Sequence, residues 1–219
     1  MNLVRAISAI GSMTMLSRVF GFVRDILVAQ FLGAGAVADA FVVAFRFPNL
    51  FRRLFAEGAF AAAFVPMFSR SLEGEGDEAA RKFASEAFSV LALILFAFVV
   101  FAEISMPWLM PYLAPGFDNV PGKMEMATEF SRIAFPYLFF ISLVALLSGV
   151  LNAYGKFAGA AAAPVLLNIT LIAALLGFGG SDEESGRTLV WGVFAGGVVQ
   201  LIWLFWHCRK IGFTVKISA

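Results

Sequence analysis

The chain reads as an all-α integral membrane protein, a six-helix bundle, on three observations. Hydrophobic residues make up 61% of its 219 positions, against roughly 45–50% in an ordinary soluble domain. Charged residues are only 14%, and mean hydropathy is +0.88. So little polar surface cannot clothe a soluble globule of this size. A spanning helix takes about 20 residues to cross a hydrocarbon core of about 30 Å, so with loops the chain holds about six. Its single cysteine, Cys208, excludes a disulfide scaffold. The balance of 16 basic and 15 acidic side chains gives no polyanion-binding signal.

Two charged spans come first. Residues 7–32 contain Arg18, Arg24 and Asp25, and residues 37–55 contain Asp39, Arg46, Arg52 and Arg53. Ala36-Val37-Ala38 mimics a signal-cleavage pattern, but Arg18 and Arg24 interrupt the apolar core that a signal peptide needs, so retention as a span is expected. Residues 56–69, small and Phe-rich, predict an interfacial helix or the end of a bent span. E-G-E-G-D-E at 73–78 reads as a solvated loop. Four plain spans follow, at 83–106, 130–154, 158–178 and 189–206. Pro107, Pro111 and Pro115 close the first of these, Pro136 predicts a kink in the second, and Pro164 falls in the first turns of the third. Trp191, Trp203 and Trp206 sit near the ends of the last, where aromatic belts lie.

With the N-terminus inside, the cytoplasmic pieces carry Arg5, Arg70, Arg81, Lys82, Lys156, Arg209, Lys210 and Lys216. The external loops carry only Lys123 and Arg187, eight against two. That asymmetry predicts both termini in the cytoplasm. S-D-E-E-S-G-R at 181–187 reads as an acidic external loop.

An arginine at the bilayer centre costs about 2.5–3.5 kcal/mol, so Arg18, Arg24, Arg46, Arg52 and Arg53 facing lipid would cost on the order of 10 kcal/mol or more. Snorkelling relieves only those near the helix ends. Spacing offers another answer. Gly11, Thr14, Arg18, Gly21 and Asp25 recur at intervals of three and four and share one face, flanked by Ser17 and Arg24. Leu16, Phe20, Val23 and Leu27 form the opposite, apolar surface. In the second span Asp39, Arg46, Arg53 and Glu57 share a face with Asn49 beside it, while Pro48 leaves the phase of Arg52 open. Two polar stripes predict the walls of a water-filled cavity. Mutual pairing is the plainer alternative, but Asp25, Asp39 and Glu57 are three acids against five arginines. Guanidinium groups bind phosphate in bidentate fashion and stay ionised, so such a cavity suits a phosphate-bearing anion.

Other features read as packing. His207 beside Cys208 is an interfacial side chain at a helix end, and the only histidine and cysteine build no zinc site. Gly155, Gly159 and Ala163 are spaced for close helix contact, and Asn152 and Asn168 for hydrogen bonds between helices. The sequence carries no nucleotide motif and no nucleophile–base arrangement. A transporter is expected rather than an enzyme, with no cofactor, metal or nucleic-acid partner.

The charged segments resemble a known family. S-R-V-F-G-F-V-R-D at 17–25, A-D-A-F at 38–41, F-P-N-L-F-R-R at 47–53 and F-A-E-G-A-F at 55–60 are similar to the MurJ/MviN family. Its members are bacterial flippases of lipid II, the undecaprenyl-diphosphate-linked peptidoglycan precursor. A-P-G-F at 114–117, F-P-Y at 135–137, L-N-A at 151–153 and A-P-V-L-L-N-I at 163–169 agree, so the resemblance runs the length of the chain. It implies a transporter of the multidrug/oligosaccharidyl-lipid/polysaccharide exporter superfamily, with two six-helix lobes around a central cavity and two further helices cradling the lipid tail. It implies that Arg18, Arg24 and Arg52 bind the diphosphate–sugar head, and that Asp25 and Asp39 join the cavity network and gate. Arg46 is a looser match. Ser17, Asn49, Arg53 and Glu57, on the same faces, complete the candidate network.

Six spans correspond to the N-terminal lobe alone. The second lobe's cavity arginine, the family's sodium site and the tail groove have no counterpart here. The expected partners are the lipid-linked precursor, membrane lipid and a second lobe with its tail helices, in the bacterial cytoplasmic membrane. Two rivals remain: an exporter of soluble molecules on the same fold, and a non-transporting scaffold for cell-wall assembly. Organic cations would want a net-acidic cavity, and a scaffold would tolerate Arg24→Ala and Arg52→Ala.

Overall fold

A computed structural model describes residues 3–53 and 59–215, and every regular element among them is helical. The order is α1 (Leu3–Leu32), α2 (Ala36–Arg52), α3 (Ala59–Gly74), α4 (Asp77–Leu113), α5 (Lys123–Ala134), α6 (Tyr137–Ala153), α7 (Phe157–Ala161), α8 (Ala163–Phe178) and α9 (Asp182–Lys210). Four segments are long and apolar enough to cross a membrane by themselves: Asp77–Leu113, Lys123–Ala153, Phe157–Phe178 and Asp182–Lys210. The all-helical, multi-pass character expected from composition is thus present.

Several boundaries differ from the sequence reading, for local reasons. Pro107 and Pro111 lie inside α4 rather than beyond its end. The acidic 73–78 segment is mostly helix, because α3 runs to Gly74 and α4 starts at Asp77, where Asp77 and Glu78 suit the positive end of the helix dipole. Residues 181–187 are not a loop: Ser181 caps α9 and Glu184 returns the bond in a capping box. Residues 59–69 of the small, Phe-rich 56–69 segment belong to α3, which packs along α4 and α6 with Phe64 and Phe68 buried. Proline, lacking an amide hydrogen, marks two breaks: Pro136 stands between α5 and α6, and Pro164 lies in the first turn of α8.

α9 is the centrepiece, packed on α5, α6 and α8. Glycines permit the approach. A Cβ at Gly186 would lie 2.5 Å from Val37 Cγ1, and one at Gly197 2.9 Å from the Tyr137 ring. Two side-chain donors on α9 reach backbone carbonyls across the helix interface. Gln200 Nε2 donates to the Ala163 carbonyl at 2.7 Å and Trp203 Nε1 to the Gly159 carbonyl at 3.0 Å. Gly159 does serve close contact, since a Cβ there would sit 2.7 Å from His207 Cδ2. Gly155 does not. Its φ of +70° places it in the left-handed turn that ends α6, and a Cβ there would meet nothing within 4 Å.

Where α4 begins, a polar buckle ties three segments together. Arg81 donates to Asp77 Oδ2 at 2.5 Å, to the Ile211 carbonyl at 3.0 Å and to the Gly212 carbonyl. The Tyr154 hydroxyl, just past α6, donates to the other Asp77 oxygen. Burial, aided by that bond, pushes the Tyr154 hydroxyl up to about 12.

Candidate anion-binding cavity

α1 and α2 hang mainly on different neighbours: α1 packs chiefly along α7 and α8, α2 chiefly along α5 and also along α6, and α9 touches both. Between them lies a cavity of about 220 Å³, lined by Arg24, Asp25 and Val28 of α1, Ala38, Phe41, Val42 and Phe45 of α2, and Leu171 of α8. Two of the candidate residues, Arg24 and Asp25, are therefore at a concave surface.

Arg24 is held rigidly there. Its Nη1 donates to Asn168 Oδ1 at 2.7 Å, and its Nη2 and Nε donate to Asp25 Oδ1 at 2.7 and 3.0 Å. Asn168, buried in α8, passes the support on by donating from Nδ2 to the Ser17 carbonyl at 3.1 Å. The hydrogen bond between helices expected of Asn168 is present, and its partner is the cavity arginine. Gly21 makes room for the amide, since a Cβ there would be 3.5 Å from Asn168 Nδ2. A guanidinium has five N–H donors. With three engaged, two remain for a ligand, and the side chain is 25% exposed toward one. Acid, amide and arginine form an anchored donor rather than a freely sweeping charge.

The remaining candidates are placed differently. Arg18 stands on an exposed part of α1 and Arg46 on an exposed part of α2, with Asn49 half-buried nearby and Arg53 exposed just past the end of α2. Arg52 belongs to α2, but its side chain and the whole of Glu57 lie outside the described residues. The division of α1 into a polar and an apolar surface needs correcting. Its packed edge runs through Ser17, Gly21, Arg24 and Val28, while Leu16 and Val23 of the apolar side are exposed. In lipid an apolar side chain gains nothing by burial, so the polar and small residues choose the contact edge.

Asp39 does not turn to the arginines. Its Oδ2 accepts from Lys123 Nζ, on the first residue of α5, at 2.6 Å, and that ammonium lies 4.2 Å over the Phe117 ring. Sequence reasoning assigned Lys123 to a loop and gave it no role. Its only signal was rarity, as one of two basic residues in the segments read as external.

A larger cleft of about 960 Å³ is lined by α8 and α9, but its walls are mainly apolar, with Phe178 and Trp191 among them. Arg187 at its end is already bonded to both oxygens of Glu129 at 2.8 and 3.1 Å. With Glu129 and Glu183 paired to its arginine and Glu184 on its wall, the cleft offers an anion no excess of positive charge.

The model of the lipid II flippase MurJ family matches residues 28–219. A probable lipid II flippase MurJ from Rhizobium meliloti (strain 1021) is 45% identical over 98% of this chain and 41% of its own length. A lipid II flippase MurJ from Burkholderia cenocepacia is 41% identical over 92% of this chain and 39% of its own length. A solved lipid II flippase MurJ in an inward closed conformation superposes with a TM-score of 0.74 at 26% identity, covering 95% of this chain and 43% of that one. A MOP superfamily transporter from Pyrococcus furiosus shares the fold at 16% identity, with a TM-score of 0.69. The Rhizobium meliloti relative, matched over 98% of the chain, takes in the α1 arginines that precede the span of the family model. The chain spans about two fifths of the length of the curated relatives it matches, and over that span it belongs to the lipid II flippase MurJ family.

Proposed function

We propose that this chain is the N-terminal lobe of a lipid II flippase in the bacterial cytoplasmic membrane and supplies one wall of the cavity that receives the diphosphate–sugar head group. The observation that carries this reading is Arg24, oriented by Asp25 and Asn168 at a cavity between α1 and α2 with donors to spare. Arg18 and Arg52 act with it on the diphosphate, and Ser17, Asp25, Asp39, Arg46, Asn49, Arg53 and Glu57 form the surrounding network. α1 and α2 are two further spans, giving six in all, with both ends of the chain in the cytoplasm. A second lobe and tail-binding helices complete the carrier.

In this mechanism the head group enters from the cytoplasmic leaflet while the polyprenyl tail stays in lipid, and rocking of the lobes exposes it on the far side. No covalent bond changes, so the activity is transport rather than catalysis. Each unit charge moved with the membrane potential is worth about 2.3 kcal/mol per 100 mV, enough to bias the step. The test is lipid II flipping in vesicles by the full-length protein that carries this lobe. Arg24→Ala, which removes charge-assisted bonds worth about 1.5–3 kcal/mol, should slow flipping tenfold to a hundredfold while insertion is unchanged. Wild-type rates in Arg24→Ala would end the proposal, and rates indifferent to collapse of the potential would remove the driving force.

A further inference from the structure

We propose that Lys123 is a positioning residue that withdraws Asp39 from the arginine face and so sets the positive field of the cavity. Asp39 and the cavity-lining Val42 are three residues apart on α2, and Arg46 lies one further turn along, so the three share a face. A free Asp39 carboxylate would stand beside the same opening as the arginines. It is instead bonded at 2.6 Å to a residue 84 positions away. The Lys123 side chain is only 13% exposed and its ammonium lies over Phe117, whereas Asp39 is 59% exposed. A lysine covered to that degree needs a carboxylate, and Asp39 supplies it.

The consequence is a change of charge at the stripes. Among the described side chains the two stripes carry Arg18, Arg24, Arg46 and Arg53 against Asp25 and Asp39, four against two. Committing Asp39 to Lys123 leaves four against one. The ammonium thus favours anion capture without touching the anion. This role deepens the proposed function and rests on it only for the identity of the anion.

The experiment uses the full chain in phosphatidylcholine nanodiscs with Val28→Cys as a thiol inside the cavity. The native Cys208, 1% exposed, is left in place and the parent chain supplies the background. Rates are measured for an anionic sulfonatoethyl and a cationic trimethylammonioethyl methanethiosulfonate, whose ratio reports the local potential and cancels changes in access. Lys123→Met should lower the anion-to-cation ratio on the order of tenfold, the effect of one uncompensated charge at short range. Lys123→Met with Asp39→Asn should return the ratio to the starting value, and Lys123→Arg should preserve it. A mechanical strut would change both rates together. A ratio unmoved by Lys123→Met, or left low in the double variant, overturns the proposal. Because no lipid substrate takes part, this result is independent of the Arg24→Ala flipping test. Binding of undecaprenyl diphosphate to the same variants then shows whether the field acts on the proposed ligand: weaker binding in Lys123→Met supports this, and unchanged binding refutes it.

Discussion

The α5–α6 segment and α1 are both long enough to cross a bilayer, yet α6 and α1 behave oppositely. α6 buries Leu138, Leu143, Leu146, Leu147 and Leu151 completely or nearly so, whereas α1 leaves Met15, Val19, Phe22 and Ile26 exposed. What fastens α1 is a small and polar edge, Gly21 against Asn168 and Arg24 bonded through it. The contrast shows how packing works when the solvent is hydrocarbon. Apolarity no longer sorts inside from outside, so shape fixes the leucine-rich helices and hydrogen bonding fixes the charged one.

The sharpest way to break this comparison is a matched pair of truncations. Leu147→Ala in α6 should cost about 2–5 kcal/mol through the cavity it leaves, while Phe22→Ala on the exposed side of α1 should stay within about 0.5 kcal/mol. Denaturant unfolding in micelles reads both, and equal costs would abolish the distinction. Next in size is Asn168→Ala. It leaves Arg24 without its cross-helix acceptor and should destabilise the α1–α8 contact by about 1–3 kcal/mol. Hydrogen exchange should then rise in α1 while α6 keeps its protection; a uniform rise would mean that Asn168 supports the core and not the cavity wall.

The smallest effect belongs to the buckle where α4 begins. The folded state favours the neutral Tyr154 phenol, so its contribution is whole below the ordinary value of 10.0 and is lost as pH rises through about 12. Among the three tyrosines, Tyr154→Phe should delete a late-titrating component of the phenolate absorbance. An unchanged titration would show that the hydroxyl is not held as described.

Much was legible because the signals are local. Long apolar runs specify spanning helices, and Pro136 and Pro164 mark helix starts, although Pro107 and Pro111 are carried inside α4. Helix ends were harder. The capping box at Ser181 and Glu184 makes helix of a segment whose charge suggests loop, and Asp77 and Glu78 begin α4 because the positive end of the helix dipole accepts them. In the candidate site, the spacing of Arg24 and Asp25 was readable. The part played by Asn168 was visible only as a polar residue in an apolar run, and that of Lys123 not at all.

By itself the sequence determined the membrane class, the helical periodicity and the presence of unaffordable charge on two leading helices, because these depend on composition and on spacing along one element. The tertiary structure alone decided which charges meet. Asp25 serves Arg24 while Asp39 serves Lys123, and Arg24 reaches Asn168 across 144 positions of chain. Coulombic and hydrogen-bond energies depend on distances of a few ångströms between elements, and no pattern within one helix encodes those distances.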